Sequence, residues 1–172
     1  MGIYGSGALM VVLLSVLSGA ALAVEGLRLW APGLNRYLVS RFRFLLKESE
    51  ERRLTGATYI ALSALVAFLV FDKPVAVAAV FFLAVGDPAA ALVGARVSGP
   101  RVFGKSPLGS LAFFGAALAI AGVLAAGGVV SFGVALVAGA AIAALVELLP
   151  LGVDDNVAVP LVSGAAMTLM GM

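Results

Sequence analysis

The side chains able to do chemistry in this chain fall in three short stretches. Asp87 lies inside an apolar run, after Ala84-Val85-Gly86 and before Pro88-Ala89-Ala90-Ala91. A carboxylate in such surroundings is costly unless paired or solvated, which marks it as a functional group. Asp followed by Pro is also a good helix start, with Asp as cap and Pro at the first helical position. Both readings hold together if the helix breaks at Gly86-Asp87-Pro88 and opens Asp87 to a water-filled cavity.

The second stretch, Gly99 to Ser106, reads Gly-Pro-Arg-Val-Phe-Gly-Lys-Ser, the literal spacing of a P-loop. A P-loop needs a preceding strand and a βαβ unit, and neither surrounds it, so that fold is rejected. The local chemistry remains: Lys105 precedes Ser106-Pro107, a cap followed by a proline. A helix start combined with a lysine is a site for phosphate, and Arg96 and Arg101 add positive charge. The third stretch holds Glu147 and Asp154-Asp155-Asn156. Asp155 or Asn156 could simply start a helix. The clustered carboxylates would repel one another unless a cation sat among them, and Asp87, Glu147, Asp154 and Asp155 offer the oxygen ligands that Mg²⁺ prefers.

Composition narrows the chemistry further. The chain has neither Cys nor His. Thiolate nucleophiles, disulfides, iron–sulfur clusters and imidazole bases are therefore excluded, and carboxylates are the strong bases left. Of the 172 residues 63% are hydrophobic and 12% charged, against roughly 25% charged in an ordinary soluble domain. Mean hydropathy is +1.17. These values exclude a water-soluble globule, a disordered chain and a nucleic-acid-binding module.

The elements that must position these residues are membrane-spanning helices. Met1 to Val24 has no charged side chain, Leu54 to Phe71 is a second apolar stretch, and Pro74 to Ala95 a third. Ser106 to Val146 is free of charge over 41 residues. As one helix it would run about 60 Å, twice the bilayer core, so it folds back between Ala126-Gly127-Gly128 and Ser131-Phe132-Gly133. Val157 to Met172 is a short last span. The expectation is an all-α, polytopic membrane helix bundle, one domain over residues 1–172, with about six spans. Gly115, Gly122, Gly139 and Gly164 should let helices approach closely, within one bundle or a homodimer.

Residues 25–53 carry Arg28, Arg36, Arg41, Arg43, Lys47, Arg52 and Arg53 with apolar residues at helical spacing, the pattern of a basic amphipathic segment on the cytoplasmic surface. Glu48, Glu50 and Glu51 alternate with these cations as a solvated face of local ion pairs. With that segment inside, the N-terminus is outside, and residues 96–105 form a cytoplasmic, phosphate-binding loop. Asp87, Lys105, Glu147, Asp154 and Asp155 then gather at the cytoplasmic face. Cations for phosphate, carboxylates for Mg²⁺ and a membrane setting together suggest phosphoryl or nucleotidyl transfer to or from a lipid.

The order Leu54-Thr55-Gly56-Ala57-Thr58-Tyr59, Gly86-Asp87-Pro88-Ala89-Ala90, Gly104-Lys105-Ser106-Pro107-Leu108-Gly109-Ser110, then Glu147, Asp154-Asp155-Asn156 and Pro160 resembles the CTP-dependent lipid kinases. These are the dolichol, phytol and farnesol kinases and the yeast-type diacylglycerol kinase, themselves distantly similar to phosphatidate cytidylyltransferase. The resemblance covers roughly residues 48–160. It implies CTP as phosphoryl donor, a lipid alcohol as acceptor, and a nucleotide–metal site lined by Asp87, Lys105, Ser106, Gly109, Ser110, Asp154, Asp155 and Asn156. On the chemistry of the residues themselves, Asp87 orients or deprotonates the lipid hydroxyl or holds the metal, Lys105 neutralises the phosphoryl group, and Arg96 and Gly104 belong to the phosphate-binding part of the nucleotide site. Leu108 stands where many relatives have an acidic residue, and the extra N-terminal spans of larger relatives are not present in this sequence. The competing expectations are CDP-lipid synthesis and, from another class, a small membrane transporter.

Overall fold

The computed structural model describes residues 7–31, 33, 35 and 54–172. Arg36, Arg41, Arg43, Lys47, Arg52, Arg53 and the three glutamates at 48, 50 and 51 lie outside the described residues, and with them most of the basic segment 25–53. Among the described residues there are six helices and no strand: α1 (Gly7–Trp30), α2 (Gly56–Val70), α3 (Lys73–Arg96), α4 (Pro107–Ala126), α5 (Val134–Leu148) and α6 (Asp155–Leu169). Three of them, α1, α3 and α4, are long and apolar enough to cross a membrane. The helices α2 and α5 are apolar but 15 residues long, or about 22 Å at 1.5 Å per residue. The all-α bundle expected from composition is observed.

The packing order follows the chain. α3 lies against α4, α5 against α6, and cross-contacts of α3 with α6 and α4 with α5 close a four-helix core. α2 rests on α6 and α3, and α1 lies outside it, against α2. Antiparallel succession brings the C-terminal ends of α3 and α5 beside the N-terminal ends of α4 and α6. The core is made of small residues, with Ala78, Ala79, Ala117, Ala121, Ala140 and Ala143 buried around Phe82, Phe113, Leu136 and Met167. Hydrocarbon surroundings give helices no hydrophobic reason to associate, so close van der Waals approach between small residues must hold them.

The fold-back falls where the glycines predict it: α4 ends at Ala126 and α5 begins at Val134, with Gly128 in the left-handed region. Of the four glycines expected to seat helices, two do so. Gly139 lies under the Met167 side chain and Gly164 under the ring of Phe71, while nothing stands within 4 Å of a Cβ placed at Gly115 or Gly122.

Two expectations are corrected. The helix does not break at Gly86–Pro88; α3 is continuous from Lys73 to Arg96 with Pro88 inside it. Proline removes one helical donor and crowds one carbonyl, a local cost that the packed helix absorbs. Gly86 serves a different purpose from freeing the backbone: a Cβ there would lie 2.6 Å from the ring of Phe113. Asp87 is therefore a mid-helix residue and no cap. The second correction concerns the boundary at residue 25. α1 runs through to Trp30, and Glu25 and Arg28 are buried within it instead of starting a surface segment.

Candidate functional site

The cation at the site is presented by a tight hairpin. Val102 and Lys105 exchange both backbone hydrogen bonds, each 2.9 Å. The two residues between them, Phe103 and Gly104, both have positive φ, 52° and 84°, the pattern of a turn that reverses the chain in two residues. Gly104 adopts this without strain, whereas Phe103 does not. The reversal delivers Lys105 to the start of α4, where Ser106 is the cap. Its hydroxyl accepts from the Gly109 N–H at 3.3 Å, and Pro107 occupies the first turn as the sequence predicts. That N–H is thus committed to the cap and is not turned toward a ligand.

From the hairpin the Lys105 ammonium reaches across to two other helix ends. It lies 2.5 Å from Asp155 Oδ2 in the first turn of α6 and 3.1 Å from Glu147 Oε1 near the end of α5. It also donates to the backbone carbonyl of Glu147. Glu147 is 7% exposed, and its other oxygen accepts from the Ser110 hydroxyl on α4 at 2.9 Å. Burial alone would lower the Lys105 pKa. The hydrogen bonds to Asp155 and Glu147 and their charges outweigh it and hold the pKa above the ordinary 10.5. Lys105 therefore stays an ammonium at every physiological pH.

Lys105, Glu147 and Asp155 line one cavity of about 350 Å³, together with Asp87, Ser106, Gly104 and Arg101. Its far wall is α3, which contributes Asp87, Ala90, Ala91, Gly94 and Ala95. The offsets from Asp87 are three, four, seven and eight residues, a single helical face. That face must be small because α4 begins against it: a Cβ at Gly109 would stand 2.9 Å from the carbonyl oxygen of Ala90.

Of the sequence-derived site residues, Asp87, Gly104, Lys105, Ser106, Gly109, Glu147 and Asp155 thus surround one space. Ser110 is joined to it through Glu147. Three others are placed differently. Arg96 is exposed, bonds the carbonyl of Leu92 on its own helix, and is not among the lining residues. Arg101 is the arginine that lines the cavity, held by the carbonyl of Gly94 at 3.2 Å. Asp154 caps α6, accepting from the backbone and side-chain nitrogens of Asn156 at 3.0 and 2.8 Å. Both side chains are thereby turned to the cap.

The four carboxylates expected to ligate Mg²⁺ do not converge, and among the described residues no three acidic side chains are grouped for a metal ion. The ammonium of Lys105 occupies the space between Glu147 and Asp155 instead. Mg²⁺ needs only one or two protein carboxylates when substrate phosphates supply the rest. Glu147 gives its two oxygens to Ser110 and Lys105 and Asp155 gives one oxygen to Lys105, so a metal in that reduced set would share Asp155 with the ammonium. Asp87 lines the same cavity.

A second polar cluster has no counterpart in the sequence reading. Arg28 grips Glu25 Oε2 through Nη2 at 2.6 Å and Nε at 3.0 Å. The other Glu25 oxygen accepts from the Thr55 backbone N–H at 3.1 Å and the Thr58 hydroxyl at 3.2 Å. Arg28 also donates to the Asn35 side-chain oxygen. Glu25 and Arg28 are 4% and 2% exposed. This fully bonded pair ties the end of α1 to the start of α2 and shares no residue with the cavity.

Searches among protein families, curated protein sequences and solved structures find nothing that matches this chain.

Proposed function

We propose that this chain is a CTP-dependent lipid kinase embedded in the membrane, transferring the γ-phosphate of CTP to the hydroxyl of a lipid alcohol of polyprenol or diacylglycerol type. The observation that carries the reading is the meeting of Asp87, Lys105, Glu147 and Asp155 around one cavity, at an end of a bundle of which three helices are long and apolar enough to cross a bilayer. The choice of CTP rests on the resemblance of the Gly86-Asp87-Pro88, Gly104-Lys105-Ser106 and Asp154-Asp155-Asn156 motifs. By the positive-inside rule the site faces the cytoplasm and the N-terminus lies outside.

In this reading the acceptor oxygen attacks the γ-phosphorus, the bond from that phosphorus to the β-bridging oxygen breaks, and CDP leaves. Asp87, exposed on the cavity wall, takes the hydroxyl proton. Lys105 and Arg101 offset the charge spread over the phosphoryl oxygens, the main task in this kind of transfer. Glu147 and Ser110 fix the position of the ammonium. With Asp87 as the base, Mg²⁺ held by Asp155 would neutralise phosphate charge.

The test is transfer of label from γ-labelled CTP, with ATP in parallel, to a panel of lipid alcohols in the presence of Mg²⁺. An organic-soluble labelled product from CTP is expected, and Asp87→Asn should abolish it while leaving the protein folded. No label from folded wild-type protein would sink the kinase reading. Incorporation of label from α-labelled CTP would point to CDP-lipid synthesis.

A further inference from the structure

Both loops that meet at Lys105 carry exposed apolar side chains. In the hairpin these are Val102, 38% exposed, and Phe103, 64% exposed; in the loop between α5 and α6 they are Leu151 and Val153, 46% and 55% exposed. Loops facing water at the mouth of a polar cavity are usually polar, and grouped exposed apolar side chains mark an interaction surface.

We propose that these two loops are seated in the interfacial layer of the bilayer, with Phe103 as the principal anchor, so that the cavity mouth opens at the depth of lipid headgroups. Three observations choose a lipid surface as the occupant. A few residues past the hairpin, Leu108 and Leu111 are also exposed, on the first turns of α4, itself a candidate spanning helix. Arg96, exposed at the end of α3, and Arg101, next to Val102, both precede the hairpin in the chain, a combination of apolar tip and basic neighbours that favours an anionic interface. Phe103 also holds a left-handed backbone conformation in which Gly or Asn would be at ease. An aromatic ring kept there, pointing away from the core, has its use outside the protein, and aromatic rings favour the membrane–water boundary. The inference rests on the membrane placement given under Proposed function and is independent of the nucleotide.

The test uses the tryptophan fluorescence of the full chain. The sole tryptophan, Trp30, is 86% exposed and is replaced in a Trp30→Phe background. Phe103→Trp is then reconstituted singly into nanodiscs of phosphatidylcholine and phosphatidylglycerol. Leu151→Trp serves as a second reporter in case the strained turn rejects indole. Lipids brominated near the carbonyl end of their chains should quench emission to roughly half, as expected for an indole at the aromatic-belt depth, and lipids brominated near the methyl end much less. Quenching of either reporter in this order supports the docking. Emission from both that is insensitive to bromine and open to aqueous iodide overturns it. So does a blue-shifted, bromine-insensitive spectrum that appears only with two copies per disc, which would make a second copy the occupant. None of these readouts requires turnover. Quenching without phosphoryl transfer would remove the kinase reading and leave the docking standing; transfer without quenching would do the reverse.

Discussion

The Ser110 hydroxyl donates to Glu147 Oε2 at 2.9 Å while Glu147 Oε1 faces the Lys105 ammonium at 3.1 Å, so one buried carboxylate is held from two helices at once. Removing the hydroxyl leaves a buried oxygen short of a donor, at a cost of about 1–2 kcal/mol. Ser110→Ala should therefore lower stability by that amount and activity by roughly tenfold, because Glu147 no longer fixes Lys105. Ser163→Ala is the control: Ser163 is also buried, but its hydroxyl bonds Val159 on its own helix. Thermal unfolding and transfer assays on both variants separate the outcomes. Equal effects would sink the positioning role of Ser110.

Lys105 is the shared partner of Glu147 and Asp155, and replacing it by Met leaves Glu147 buried beside no cation. Loss of one partner from a fully buried pair costs about 3–5 kcal/mol, and the 30% exposure of the Lys105 side chain reduces this to about 1–3. Activity should fall by about a hundredfold or more, since the charge facing the phosphoryl group is gone. Adding Glu147→Gln to Lys105→Met should recover stability without recovering activity, a combination readable by unfolding and turnover on the same preparations.

The same lysine sets a pH dependence. Its pKa is raised above 10.5 in the folded state, so its contribution to stability is fully present below 10.5 and is lost as pH climbs through the raised value. The stability difference between wild type and Lys105→Met should be flat from neutral into the mildly alkaline range and close only above 10.5. A difference that shrinks already near neutrality would mean that the clamp is absent in solution.

Much of this arrangement is legible in the sequence because punctuation and charge report it locally. Ser106-Pro107 marks a helix start, and Gly127-Gly128 ends α4. What escapes the sequence is decided at a distance. Gly86-Asp87-Pro88 looks like a break by propensity, yet the Phe113 ring packed on Gly86 belongs to a helix some 27 residues away, and tertiary packing overrides local preference. Glu25 and Arg28 look solvated because charged residues near a helix end usually are. Their burial depends on donors from Thr55 and Thr58. Whether Arg96 or Arg101 lines the cavity follows from the reversal at Phe103-Gly104, and composition holds no trace of that geometry.

Gly109→Ala tests the contact that shapes the cavity. The added methyl would stand 2.9 Å from the Ala90 carbonyl and 3.5 Å from the Gly94 Cα, and both are helix backbone, which cannot swing aside as a long side chain would. Overpacking of this kind costs about 1–3 kcal/mol. The variant should lose that much stability and reduce nucleotide affinity, because moving α4 away from α3 separates Lys105 from Asp87. Gly115→Ala, where nothing stands within 4 Å, should be neutral or slightly stabilising by helix propensity. Parallel unfolding of the two variants decides the matter, and equal stability would contradict the close approach of α3 and α4.

The last prediction concerns how α6 keeps Asp155 in place despite a proline inside it. Pro160 has no N–H, so the Asn156 carbonyl four residues earlier loses its helical donor. The Ser63 hydroxyl of α2 donates to that carbonyl at 2.6 Å, and Ser63 is 2% exposed. A side chain on one helix thus fills the gap left by proline on another, one residue beyond the aspartate that grips Lys105. Ser63→Ala should leave the carbonyl unpaired and cost about 1–3 kcal/mol. In a Pro160→Ala background the restored N–H satisfies Asn156 from within α6, so the same Ser63→Ala change should cost less there. A double-mutant cycle of unfolding free energies measures the difference as a coupling of about 1 kcal/mol or more. Strict additivity would mean that Ser63 supports α6 by packing alone.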